Sequence, residues 1–106
     1  MPAATWNGLR IEADGRSVSV TRAQAARLAQ LVERAVALAT GSGPLTGVPQ
    51  LKIDLLRDGE RVGTLELAGN QVRFSDAVLP GTPRIGQADP ALAQALREEV
   101  QRMSGR

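Results

Sequence analysis

The groups in this chain that could do chemistry are carboxylates, guanidinium groups, one amine and a few hydroxyls. There is no His, Cys or Tyr; there are 11 Asp and Glu, and 13 Lys and Arg, of which Lys52 is the sole lysine. Without His the commonest general acid–base group is missing. A Ser-His-Asp arrangement cannot be built, nor a thiolate nucleophile, nor a zinc site of His and Cys ligands. What is left is carboxylate chemistry. Glu98 and Glu99 are adjacent on a predicted helix and point about 100° apart, so they do not converge. Asp54 and Glu66 fall on the polar face of neighbouring predicted strands and are read as solvated strand charges. "GSGP" and "LPGTP" lack the Gly-Lys-Ser/Thr of a phosphate-binding loop, and the acidic residues do not follow calcium-loop spacing. Lys52 is expected to face solvent. The chain is therefore read as non-enzymatic, with no catalytic, metal-binding or cofactor-binding residue.

The elements that would position these groups are legible in the turns and periodicities. In "LRIEADGRSVSV", residues 9 to 20, Asp14-Gly15 suits a two-residue turn of type I′. It pairs Ala13 with Arg16, Ile11 with Val18 and Leu9 with Val20. The large apolar residues then share one face, while Arg10, Glu12, Ser17 and Ser19 share the other. In "TRAQAARLAQLVERAVALATG", Thr21 and Gln24 have capping-box spacing. Leu28, Leu31, Val32, Ala35, Leu38 and Ala39 form one apolar stripe, and Gly41 is the expected stop. "GSGPLTGVPQ" reads as a loop.

"LKIDLLRDGERVGTLELAGNQVRFSD", residues 51 to 76, contains three alternating runs and two turns. Gly69-Asn70 pairs Leu67 with Val72, Glu66 with Arg73 and Leu65 with Phe74. Leu51 and Ile53 share a face with Leu65 and Leu67 only if one extra residue enters near Asp58 to Arg61, as a three-residue loop or a bulge. "AVLPGTPRIGQA", residues 77 to 88, reads as a long connection. Asp89-Pro90 caps a second helix with Leu92, Leu96, Val100 and Met103 on its apolar side.

The order is β-β-α-β-β-β-α with hairpin links. That predicts the α+β class: a two-layer sandwich of a five-stranded antiparallel sheet with two helices on one face and the other face wet. Residues 1–106 are expected to form a single domain. Residues 1–7 are read as a flexible N-terminal segment and 104–106 as a frayed tail.

Composition limits the partners. The chain is 42% hydrophobic and 23% charged, ordinary for a globular domain, and has no apolar run long enough to span a membrane. The start "MPAATWNGLR" lacks a basic head followed by an apolar run. The cytoplasm is the expected compartment, or the periplasm if a signal peptide has been removed. The net charge is +2 and the pI about 10.4. The high pI reflects the lack of groups that titrate in mid-range, and +2 is a weak attraction for polyanions.

Nucleic-acid binding through Arg contacts to phosphates is the alternative to protein binding. Arg27 and Arg34 share a helical face, and Arg10, Arg16 and Arg73 are placed on the polar sheet face. Glu12, Asp54 and Glu66 share that sheet face, and Phe74 points to the core, so no aromatic platform for bases is expected. A GC-rich genome would account for the preference for Arg over Lys. The ending β-β-β-α resembles double-stranded-RNA-binding domains, which implies backbone recognition of RNA. "ADPALAQALREEV" starts acidic where such domains carry glycine and lysine.

The main expectation is a small bacterial-type interaction module with an unknown protein partner or a second copy of itself. Trp6, Arg73, Val78, Leu79, Arg84 and Ile85 are the candidate partner-binding residues. A lone Trp suits an interface anchor or a cap on the edge of its own core. Arg73 belongs to the strand "QVRFS", and the 77–88 loop supplies the others, of which Val78, Leu79 and Ile85 could instead fold back as a lid over the core. "LRIEA" and "QVRFS" contain no Pro and are the expected edge strands, paired with one another or open. Association is placed at such an edge together with the 77–88 loop. The element order and "RAQAARLAQLVERA" resemble emfourin-type inhibitors of metalloproteases, which implies a protease-inhibitor-like role. The first hairpin lacks a Gly-Gly-aromatic motif.

Overall fold

The computed structural model describes residues 6–13, 15–43, 46–76 and 83–104. The first hairpin forms in the register that its alternation dictates. Strand β1 (Gly8–Ala13) pairs antiparallel with β2 (Arg16–Thr21), with Ala13 opposite Arg16, Ile11 opposite Val18 and Leu9 opposite Val20. Gly15 takes the positive φ that the turn needs, +75°; Asp14 lies outside the described residues.

The capping box also forms, one turn earlier than a helix cap would require. Thr21 Oγ1 accepts the Gln24 N–H at 3.1 Å, and Gln24 Oε1 accepts the Thr21 N–H at 2.9 Å. This closes a turn over residues 22 to 25, and α1 follows as Ala26–Leu38. Its buried stripe is Leu28, Ala29, Leu31, Val32 and Ala35. Leu38 stays largely exposed. Gly41 is not the stop: the chain leaves the helix at Ala39, and Gly41 opens a two-residue strand, β3 (Gly41–Ser42).

Strands β4 (Leu51–Arg57), β5 (Glu60–Ala68) and β6 (Gln71–Asp76) make the expected meander. The extra residue enters as a bulge. Asp58-Gly59 is itself a two-residue turn, with φ of 53° and 87°, as type I′ requires. The register then slips at Val62: Leu56 faces Arg61 and Leu55 faces Gly63. That slip keeps Leu51, Ile53, Leu65 and Leu67 on one face.

The sheet has seven strands among the described residues, not five. β7 (Arg84–Gln87) lies within the stretch read as a loop and pairs with β6, and β3 pairs with β7. The order is β2-β1-β4-β5-β6-β7-β3, antiparallel throughout. What brings β7 in is Gly86. A Cβ at that position would collide with the Leu38 carbonyl at the end of α1, so only glycine lets the helix end settle on this strand.

α2 (Pro90–Ser104) begins as expected, with Asp89 Oδ1 accepting the Leu92 N–H at 2.8 Å. The helix includes Ser104, at the start of the expected tail; Gly105 and Arg106 lie outside the described residues. α1 rests on β6 and β7, α2 on β1 and β2, and the helices touch each other. One apolar cluster joins Leu28, Val32, Leu92 and Leu96 of the helices with Leu9, Ile11, Ile53, Leu65, Leu67 and Val72 of the sheet. No described helix is long and apolar enough to cross a membrane.

Candidate interaction surface

The polar sheet face is built from residues that alternate with the core. Reading across paired strands, one row runs Ser17, Glu12, Lys52, Glu66, Arg73 and Ile85. The charges in it alternate in sign, so each one faces its opposite across the ladder. Arg73 Nε donates to Glu66 Oε1 at 2.8 Å. The next row runs Ser19, Arg10, Asp54, Thr64 and Ser75. Asp54 is not a solvated charge. It is 4% exposed, accepts the Thr64 hydroxyl at 2.8 Å and faces Arg10 at 3.9 Å. Short side chains flanked by arginines on a sheet are shielded by the longer stems, which sequence alternation alone does not reveal.

These rows can hold each other, but they do not concentrate one sign of charge. Arg16 pairs with Ala13 in the phase of Val18, so it is not on the polar face. Arg27 lies 3.4 Å from Glu99, and Arg34 shares a cleft with Asp89. A phosphate backbone needs a continuous positive stripe, and these arginines are separated and matched by acids. Among the described residues no three His, Cys, Asp or Glu come together as a possible metal site.

Trp6 is buried, 2% exposed. The Arg22 guanidinium sits 4.1 Å from its ring centroid, donates to the Trp6 carbonyl at 3.1 Å and pairs with Glu33. The indole N–H is buried without an acceptor. In this arrangement the ring closes one end of the core rather than facing outward. Asn7 is tied down as well, its backbone N–H donating to the Leu56 carbonyl at 2.8 Å and its side chain to Asp58 at 3.0 Å. Trp6 and Asn7 are thus anchored, and residues 1–5 lie outside the described part.

Of the other candidates, Arg73 and Ile85 are brought side by side on β6 and β7. Arg84 points to the opposite face, 5.8 Å from the Phe74 ring centroid. Val78 and Leu79 lie outside the described residues. Trp6 does not join this group.

The sheet edges are not where they were expected. "LRIEA" lies between β2 and β4, and "QVRFS" between β5 and β7. An edge at β6 is ruled out by β7. The two ends of the sheet are β3, two residues long, and β2, six residues long. The phase of β2 is readable from its last residue. Thr21 gives its N–H to Gln24 and its carbonyl to the Ala25 N–H, 3.2 Å. Both groups therefore point away from β1. In a strand this direction repeats every second residue, so the backbone groups of Ser19 and Ser17 also point outward. Among the described residues nothing pairs with them. β2 has no Pro and no bulge, and its one charged residue is Arg16 at its start. Sequence reasoning placed the edges at "LRIEA" and "QVRFS" and so missed the β2 edge; the signal was the uncharged "SVSVT" run itself. No family model, curated protein or solved structure matches this chain.

Proposed function

We propose that this chain is a non-enzymatic protein-interaction module that receives an extended polypeptide on the outer edge of β2. The observation that carries the reading is the set of four outward backbone groups on Ser17 and Ser19, on a strand that, among the described residues, lacks the devices that normally block an edge. Main-chain hydrogen bonds along such an edge supply affinity, and alternate side chains supply selectivity. Two further features support it. The groups best suited to acid–base or nucleophilic work are missing from the chain, and Asp54 is held in internal bonds. The helices form a layer over the apolar face, which gives the edge a rigid backing.

Ser19→Pro tests the reading, because it removes an outward N–H without touching the bonds to β1. Peptides selected from a random display library on the parent protein should bind the Ser19→Pro variant at least about tenfold more weakly. A selected set that binds both proteins equally would rule out the β2 edge as the binding site.

A further inference from the structure

Resting on that reading, we infer that the strand received at β2 is β2 of a second copy, paired antiparallel about a two-fold axis at Val18. The argument is one of phase and count. Thr21 has both outward groups engaged by the capping box and the turn behind it. Only Ser17 and Ser19 have outward groups to offer among the described β2 residues, two donors and two acceptors in all. An antiparallel copy must also keep Val18 and Val20 on the helix side, since a one-residue slip would put valine opposite serine.

Three registers keep the faces matched and bring the serines into play. Centred on Ser19, Ser17 would face Thr21 of the second copy, whose groups are taken, and Arg16 would face Arg22 of that copy. Centred on Ser17, Ser19 would face Gly15 in the turn. Centred on Val18, Ser17 faces Ser19 of the second copy and Ser19 faces its Ser17. Each pair exchanges two bonds, so every outward group of both serines is satisfied. Val18 then meets Val18 in a non-hydrogen-bonded pair, the closer kind. Arg16 faces Val20, so no like charges oppose.

The second copy is favoured over an unrelated strand because the edge is its own complement. Serine meets serine on the wet face, valine meets valine on the helix side, and the same four groups complete each other. Two seven-stranded sheets become one of fourteen, an isologous contact that closes on itself. α2 already rests on β2, and Val18 and Val20 of β2, only partly buried, gain cover along the seam.

The chain has no cysteine, so a single introduced thiol reads the register directly. Val18→Cys and Ser19→Cys are equilibrated separately in a glutathione redox buffer, and covalent dimer is measured. Parent and Ser19→Pro are compared by sedimentation equilibrium from roughly 1 µM to 1 mM. The parent should self-associate. Val18→Cys should couple at least about tenfold more than Ser19→Cys, because only a pair on the axis meets disulfide geometry. Ser19→Pro should associate at least about tenfold more weakly. A parent that stays monomeric throughout overturns the inference, as do equal coupling of the two cysteine variants and undiminished association of Ser19→Pro. If the parent is monomeric yet still binds peptides that Ser19→Pro loses, self-pairing alone fails. If those peptides are also absent, the edge reading fails with it.

Discussion

The two ends of the sheet solve the same problem differently. At one end β3 is two residues long, and the chain then turns away at Gly43, whose φ is +135°. Its brevity leaves little backbone for another strand to copy. At the other end β2 runs six residues with small, uncharged side chains after Arg16, and among the described residues only its last residue is covered, by the capping box. A sheet with one blunted and one open edge can add a strand on a single side. Self-pairing of such a molecule stops at two copies, whereas two open edges would permit a filament.

The contrast can be broken at the short end. Gly86→Val should cost upwards of about 3 kcal/mol in a urea melt, because the side chain has nowhere to go between β7 and the end of α1. Native-state amide exchange should lose protection in β7 and β3 before β1 and β4. A loss below about 1 kcal/mol with β7 still protected would mean that the helix end does not hold this edge.

A second comparison sharpens the open end. Leu65→Ala, at a fully buried site in central β5, should cost about 2 to 5 kcal/mol. Val18→Ala, half-buried on β2, should cost about 0.5 to 1.5 kcal/mol in dilute protein, since less apolar area is lost. Equal losses would show that β2 is covered in solution even in the monomer.

The smallest effect concerns the boundary of the edge. Gln24→Ala removes the acceptor for the Thr21 N–H and should cost about 0.5 to 1 kcal/mol in a urea melt. It also makes a third outward donor available. Single-cysteine coupling in the Gln24→Ala background should therefore show Ser19→Cys gaining on Val18→Cys. An unchanged ratio would mean that the capping box does not set the register.

Much of the fold was legible because turns and alternation agreed. Asp14-Gly15 and Gly69-Asn70 each put leucines and valines on one side, and both registers hold. The need for one extra residue in the β4–β5 hairpin followed from four residues on one face, although its place at Val62 did not. That place depends on Asp58 accepting a positive φ, an option open to aspartate but not dictated by it. β7 was illegible for a physical reason. In "RIGQ" the large apolar residue, Ile85, stands beside Arg73 on the polar face, and the position facing the helix is Gly86. The pattern is inverted, and only the contact with Leu38 explains it. With β7 unseen, β6 looked like an edge, whereas it lies between β5 and β7. The burial of Asp54 was hidden in the same way, since it depends on neighbours from β1 and β5.

Trp6 gives the molecule an optical handle. It is the only tryptophan, and there is no tyrosine, so ultraviolet-excited emission comes from a single indole. That indole is held in an apolar site with its N–H unbonded and a guanidinium against its face, conditions in which emission is shifted to the blue and sensitive to the cation's position. Arg22, which supplies the cation, directly follows the last residue of β2. The chromophore therefore stands by the capped end of β2, and a shift of Arg22 there can be followed by light without attaching a dye.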